Sequence, residues 1–239
     1  MINTKKFSPN SQKGASLTEL AIVIAIIALI ATLVTSGVNI RKASQIRSFV
    51  SDINSFQISV ESFLSKYREL PGDMGDAQDY WGSNTTNGDG DDLIEYPATG
   101  NMEALRAWQH LSLAGFIDGG FNGVSSNSNQ ADIGINVPKS KRSKVGYYII
   151  HQNSVGQGSR NEIVIGAFNV SNPNNNSALS THEANSIDIK LDDGNPTDGL
   201  VYGYNGNDAG TDNCQNASSD SYLLTTEDDV CVMSFAATP

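Results

Sequence analysis

The feature that most constrains this chain is an uninterrupted stretch of 21 uncharged residues, which runs from Leu20 to Ile40 between Glu19 and Arg41. Its first part, residues 20–31, contains no polar side chain. A helix rises about 1.5 Å per residue, so such a stretch extends about 31 Å, close to the ~30 Å hydrocarbon layer of a bilayer. The sequence therefore predicts a membrane-spanning helix over about residues 20–40.

The charge of the chain restricts the partners that it can bind. The 239 residues include 15 Lys and Arg but 26 Asp and Glu, which gives a formal net charge of −11. Proteins that grip phosphate backbones need a basic face. We therefore expect no binding to nucleic acid, and only the short basic strip of residues 139–144 offers a local exception.

The position of the apolar stretch also allows a secretory signal peptide, with Lys5, Lys6 and Lys13 as its basic region. Two features disfavour this alternative: the acidic Glu19 stands at the entrance to the stretch, and no clean Ala-x-Ala cleavage site follows it. The two cysteines, Cys214 and Cys231, form an even pair near the C-terminus, which suits one disulfide in an oxidising compartment.

Residues 13–20, with the sequence KGASLTEL, resemble the prepilin cleavage motif of type IV pilins and type II secretion pseudopilins. The resemblance implies that a prepilin peptidase cuts between Gly14 and Ala15 and that Ala15 is then N-methylated. It also implies that Glu19 pairs with the freed amino group of Ala15 in a neighbouring subunit and so guides assembly. A carboxylate at the edge of an apolar helix needs such a partner, because burying it alone is costly.

On this resemblance, we expect a structural subunit of a type IV pilus or a type II secretion pseudopilus, and no enzyme. Its partners would be copies of itself, the prepilin peptidase, the inner-membrane assembly platform and minor pilins. The chain would be a single-pass inner-membrane protein with a periplasmic head before assembly, and part of a pilus or pseudopilus afterwards. The alternative is a minor pilin at the filament tip that acts as an adhesin or binds DNA or another surface.

Beyond Arg41 the sequence predicts an amphipathic continuation of the helix, because apolar residues recur at helical intervals from Ile46 to Tyr67. Pro71 ends the pattern. We therefore expect three parts: a leader over residues 1–14, a long helix over residues 15–70, and a globular head over residues 71–239. The predicted fold class is α+β, with the membrane half and the amphipathic half of one long helix packed on a small antiparallel sheet, as in the pilin fold.

The head contains signals for further helices and strands. A short helix is expected over residues 102–114, and a capping box at Ser180 and Glu183 predicts the start of another. Strands are expected at residues 145–150, 162–170, 200–204 and 230–235.

Two acidic loops are candidate calcium sites. In the first, Asn87, Asp89 and Asp91 alternate with glycines in the spacing of a calcium loop, with Asp92 and Glu95 nearby. The match is partial, because Asp92 replaces the turn glycine and Ala98 stands where a closing Glu belongs. The second loop contains Asp192, Asp193 and Asp198 at the end of a predicted helix, where carboxylates oppose the helix dipole. A solvated acidic turn is the alternative for the first loop, and for the second loop the alternatives are an Arg or Lys partner or backbone N–H groups of the following turn.

The sequence contains no clear catalytic constellation. The histidines at positions 110, 151 and 182 lie far apart, and there is neither a Gly-x-Ser-x-Gly elbow nor a Walker loop.

Overall fold

The computed structural model describes residues 16–96, 102–125, 131–153, 159–169, 175–210, 214–216, 220–225 and 227–238. For residues 32–39, 153 and 159 it describes the backbone alone. The chain divides into two compact units, Met1–Ala43 and Ser44–Pro239. The helices are α1 (Leu17–Tyr67), α2 (Ala77–Trp81), α3 (Glu103–Leu113) and α4 (Thr181–Leu191), and a 3₁₀ turn covers Gly82–Asn84. The strands are β1 (Val145–Asn153), β2 (Ser159–Ala167), β3 (Leu179–Ser180), β4 (Val201–Asn205), β5 (Gln215–Asn216), β6 (Ser221–Tyr222) and β7 (Asp229–Ala236).

The main sheet of the second unit is antiparallel and is organised around β7. Strand β7 pairs with β2, β3 and β4, and β1 lies beyond β2. Seven consecutive residues of β7, from Val230 to Ala236, are buried. The sequence of a strand that is buried on both faces is nearly continuously apolar, because every side chain points into the protein interior. This explains the sequence VCVMSFA of residues 230–236. The small hairpin of β5 and β6 is separate from this sheet.

The part of α1 that belongs to the second unit packs onto the sheet and onto α3. Phe56 lies edge-on to Trp108 of α3 and to Tyr147 of β1, with ring centroids 4.8 and 5.0 Å apart. The hydroxyl of Tyr147 donates to Asp52 Oδ2 at 2.7 Å, and Gln57 Nε2 donates to the carbonyl of Ala236 at 2.8 Å. Apolar burial and a few directed hydrogen bonds thus fix this segment of the helix on β1 and β7.

Within the first unit, the described apolar side chains of α1 are exposed. Leu20, Ile24 and Ile27 are 54%, 59% and 60% exposed, and their neighbours between residues 20 and 30 are similar. Among the residues that the structure describes, no helix is long and apolar enough to cross a membrane.

The predicted fold class, a pilin fold whose long helix has a membrane half and an amphipathic half, is therefore wrong. Over the residues that the structure describes, the chain has helices and an antiparallel sheet but no helix that is long and apolar enough to span a membrane. The physical reason is length. The apolar stretch whose side chains the structure describes covers residues 20–31, and a helix of these 12 residues extends only about 18 Å.

The predicted single-pass location in the inner membrane depended on that span, and it is also wrong. The predicted leader of residues 1–14 lies outside the described residues.

Candidate functional sites

The first acidic loop, residues 87–95, is folded around two buried carboxylates that come from outside it. Asp73 is 1% exposed and accepts hydrogen bonds from the backbone N–H groups of Gly90 (2.7 Å), Asp91 (3.2 Å) and Asp92 (2.9 Å). Charge-assisted hydrogen bonds of this kind are among the stronger ones in proteins. The loop therefore wraps its backbone donors around Asp73.

The second carboxylate is Glu103, in the first turn of α3. It is fully buried, and its two oxygens accept from the backbone N–H groups of Asp89 and Glu95, each at 3.2 Å. Burial, helped by the nearby carboxylate of Asp73 and opposed by the N–H donors, raises the pKa of Glu103 to about 7. Burial also raises the pKa of Asp73. The backbone of the loop is therefore hydrogen-bonded to two buried acids, and burial makes the ionised form of each acid less favourable.

Gly72 allows Asp73 to reach this position. Its backbone has φ +93°, and a Cβ atom there would collide with the carbonyl of Glu103. A glycine is the only residue that tolerates both conditions. The tight turn formed by Pro71 and Gly72 therefore places Asp73 beside α3.

The structure brings together only some of the predicted ligands of the first loop. Oxygen atoms of Asp73, Asp89 and Asp91 lie within 4.8 Å of one another, which is compact enough for one metal ion. Asn87 instead accepts a hydrogen bond from the backbone of Gln78 at 2.8 Å. Asp92 has φ +69°, the left-handed conformation that a calcium loop assigns to glycine.

Glu95 is not in this group, and its backbone N–H donates to Glu103. Sequence reasoning missed Asp73, because it lies 16 residues before Asp89. The only signal was its place in the Leu-Pro-Gly-Asp turn of residues 70–73.

The second acidic loop also depends on an acid that the sequence did not single out. Oxygens of Asp188, Asp192 and Asp193 lie within 4.8 Å of one another. Asp188 is fully buried in α4, where it accepts from the hydroxyl of Tyr222 (2.8 Å) and the backbone N–H of Gly194 (3.1 Å). Burial raises the pKa of Asp188 to about 6, and the charges of Asp192 and Asp193 raise it as well.

The predicted ligand Asp198 is not in this group, and its carboxylate accepts from the N–H of Gly199 at 2.8 Å. Asp192 Oδ2 accepts from the N–H groups of Leu200 and Val201. In both acidic groups, several carboxylate oxygens therefore accept from backbone N–H groups. Calcium binding at either loop stays a prediction.

The predicted disulfide is confirmed. Cys214 and Cys231 are bonded, both are fully buried, and their Cα atoms are 4.9 Å apart. The bond closes the segment that carries Tyr222, and the hydroxyl of Tyr222 reaches Asp188 of α4. The disulfide and this hydrogen bond together attach β6 to the rest of the second unit.

In the N-terminal motif, Gly14 and Ala15 lie outside the described residues. Glu19 Oε2 accepts a hydrogen bond from the backbone N–H of Ser16 at 2.9 Å, and Ser16 Oγ accepts from the N–H of Thr18 at 3.3 Å. This is the arrangement of a helix cap, because α1 begins at Leu17 and Glu19 is its third residue. The pattern Ser-x-x-Glu at residues 16–19 was the sequence signal for this role, and it was overlooked.

The basic strip of residues 139–144 contributes to the structure of the second unit. Arg142 forms an ion pair with Glu183 at 2.8 Å and approaches Asp229 at 3.5 Å. It also donates to the carbonyl of Ala178. Its guanidinium therefore holds the start of α4 against β7.

A comparison of the chain with protein-family models, with curated proteins and with solved structures finds no match.

Proposed function

We propose that this protein is a structural subunit of a filament of the type IV pilus or type II secretion pseudopilus kind, and that copies assemble through the N-terminal part of α1. The observation that carries the proposal is the exposed apolar surface between residues 20 and 30. Leu20, Ile22, Ile24, Ile26, Ile27, Leu29 and Ile30 are each between 53% and 66% exposed.

These residues cover most of the helix circumference. Successive residues of an α-helix are about 100° apart, and the side that the seven large residues leave is occupied by Ala21, Ala25 and Ala28, so no polar face remains. A helix that is apolar all round is stable when other apolar surfaces enclose it. Each large side chain removed from water contributes about 1.5–3 kcal/mol.

Identical helices from other copies supply such surfaces. An interface between different surfaces of identical subunits extends into an open helical filament when its rotation does not close a ring. A bundle of the N-terminal segments would form the filament core. The resemblance of residues 13–20 to a prepilin motif supports the same function, with the peptidase removing residues 1–14 before assembly.

A pair of matched variants tests the proposal. Ile27→Asn places a polar group within the exposed apolar surface, whereas Ile58→Asn makes the same change at an isoleucine of the second unit that is 63% exposed. We expect cells that produce the Ile27 variant to release no filaments on shearing, while those with the Ile58 variant release them at the normal yield.

The purified filaments should then be imaged by electron cryo-microscopy. We expect this chain to repeat along the shaft with residues 20–30 at the axis. Filaments of normal yield from the Ile27 variant would contradict the proposal. A shaft made of another protein, with this chain only at its end, would support the tip-located alternative instead.

A further inference from the structure

Three asparagines of the chain precede a glycine, and they differ in how the fold holds them. They are Asn87, Asn122 and Asn205, and all three lie in described parts of the chain. An Asn-Gly pair is the sequence most prone to spontaneous deamidation, because glycine leaves its backbone nitrogen sterically free. The reaction requires that nitrogen to approach the Cγ atom of the asparagine side chain.

The fold protects Asn87 and Asn205 in two ways. The next backbone N–H is engaged in each case: Gly88 donates to the carbonyl of Met74 at 2.8 Å, and Gly206 donates to that of Val230 at 2.9 Å. The side chains also point to distant partners. Asn87 Oδ1 accepts from Gln78 N at 2.8 Å, and Asn205 Oδ1 accepts from Cys214 N at 2.7 Å.

Asn122 lacks both forms of protection. Within the described residues, the N–H of Gly123 donates to no protein acceptor. The side chain of Asn122 folds forward along its own backbone, because its Oδ1 accepts from Val124 N at 3.1 Å. This local turn holds the side chain over the peptide group of Gly123.

The surroundings of Asn122 also suit the reaction. Asn122 is exposed, and it lines an open cavity of about 250 Å³ together with Gly123 and Arg106. Water therefore reaches the side chain of Asn122, and the cavity leads to Gly123, which is itself buried.

We infer that the Asn122–Gly123 pair is a site of spontaneous deamidation in the native protein. The backbone nitrogen of Gly123 loses its proton to a solvent base and attacks Cγ of Asn122. The bond from Cγ to the side-chain nitrogen breaks, and this nitrogen leaves as ammonia after taking up a proton. The resulting succinimide adds one water molecule and opens to either aspartate or isoaspartate at position 122.

The product changes a buried network as well as the surface charge. The carbonyl of Asn122 accepts from Gln109 Nε2 at 2.9 Å, and Gln109 Oε1 accepts from the hydroxyl of Thr85 at 2.8 Å. In isoaspartate the main chain passes through the former side-chain carbon, so this carbonyl becomes part of a free carboxylate. Deamidation thus alters the acceptor that anchors Gln109.

The test follows the full chain, kept soluble in detergent, during incubation in mildly alkaline buffer. Peptide mapping by mass spectrometry reports deamidation at each of the three pairs, in the native state and in urea. We expect the Asn122 peptide to deamidate several-fold faster than the other two in the native state, and all three to react at similar rates in urea. The variant Asn122→Gln should lose the fast reaction, because a longer side chain closes the ring poorly.

Equal rates at the three pairs in the native protein would overturn the inference. So would a native Asn122 peptide that reacts no faster than the Asn87 peptide. The urea arm shows whether a slow native reaction comes from the fold or from the buffer.

Discussion

His110 Nδ1 accepts a hydrogen bond from the backbone N–H of Gly72 at 2.9 Å, in the interior of the second unit. Because Nδ1 is an acceptor, the proton of the neutral ring lies on Nε2, which is 3.0 Å from Thr85 Oγ1. Thr85 in turn donates to Gln109 Oε1 at 2.8 Å. This chain of hydrogen bonds joins the turn before Asp73 to α3 and to the loop after α2, so the histidine has a structural role that requires its neutral form.

The buried His110 makes the protein less stable in acid. Burial, together with the charge of the nearby Arg106, lowers the pKa of His110 from the ordinary 6.5 to about 4. As pH falls from about 6.5 to about 4, His110 becomes protonated in the unfolded chain but stays neutral in the native state. The free energy of unfolding therefore decreases in this pH range. Urea titrations at several pH values should show this decrease.

The variant His110→Leu provides the comparison. It should lower the free energy of unfolding at neutral pH by about 2–4 kcal/mol, because it leaves the buried N–H of Gly72 without its acceptor and removes the donor to Thr85 Oγ1. It should also remove the contribution of His110 to the acid dependence. A variant as acid-sensitive as the wild type would show that another group is responsible.

Glu103 gives the opposite pH dependence. Its pKa of about 7 lies above the ordinary 4.5 because of burial. Between these values the native carboxyl keeps a proton that the unfolded chain has lost, so this contribution to stability decreases as pH rises through about 7. We expect Glu103→Gln to flatten the pH dependence of urea unfolding between about pH 4.5 and 7.

Above pH 7 the same variant should be more stable than the wild type by about 1 kcal/mol, because the amide keeps one acceptor and removes the buried charge. The exposed Asp118 offers a matched control, and Asp118→Asn should leave the pH profile unchanged. A Gln variant that is less stable than the wild type at every pH would mean that accepting both N–H groups outweighs the cost of burial.

Calcium binding at the first loop is tested by the two acids that the structure places beside Asp73. If an ion binds there, calcium should raise the thermal unfolding midpoint of the full chain, because a ligand that binds only the native state stabilises it. The double variant Asp89→Asn/Asp91→Asn should lose most of this increase, while Asp192→Asn/Asp193→Asn should keep it. The reverse result would assign the ion to the second loop, and a midpoint that ignores calcium would remove both sites.

The disulfide should contribute strongly to the stability of the second unit. The chain-entropy model gives about 3 kcal/mol for a closed loop of this size. We expect the double variant Cys214→Ala/Cys231→Ala to lose about this much free energy of unfolding. Reduction of the wild type should produce a similar loss, and reduction of the variant should change nothing. A variant of wild-type stability would mean that Tyr222 and the surrounding packing hold the segment without the covalent bond.

The elements set by local patterns were predicted well, and the interactions between distant segments were not. The helix expected at residues 102–114 is present as Glu103–Leu113, and the capping box of Ser180 and Glu183 is formed. In contrast, Asp73 meets its loop across 17 residues, and Asp188 meets Tyr222 across 34. A local sequence pattern indicates helical periodicity and helix caps. It does not show which buried carboxylate will accept hydrogen bonds from a loop that is distant in the sequence.

Two roles of Glu19 can be separated by experiment. The structure gives Glu19 a hydrogen bond from Ser16 within its own chain. The resemblance to the prepilin motif instead implies that Glu19 pairs with the amino group of Ala15 in another copy. Glu19→Gln distinguishes them: the amide oxygen still accepts from Ser16 N, but the negative charge is gone. If pairing with the amino group of Ala15 guides assembly, this variant should abolish filaments while the helix content measured by circular dichroism stays unchanged. Ser16→Ala is the matched control, because it weakens the same cap by about 1 kcal/mol and leaves the charge, so filaments should form. Normal filaments from Glu19→Gln would restrict Glu19 to capping α1, and the apolar surface of residues 20–30 would then have to set the register of the subunits alone.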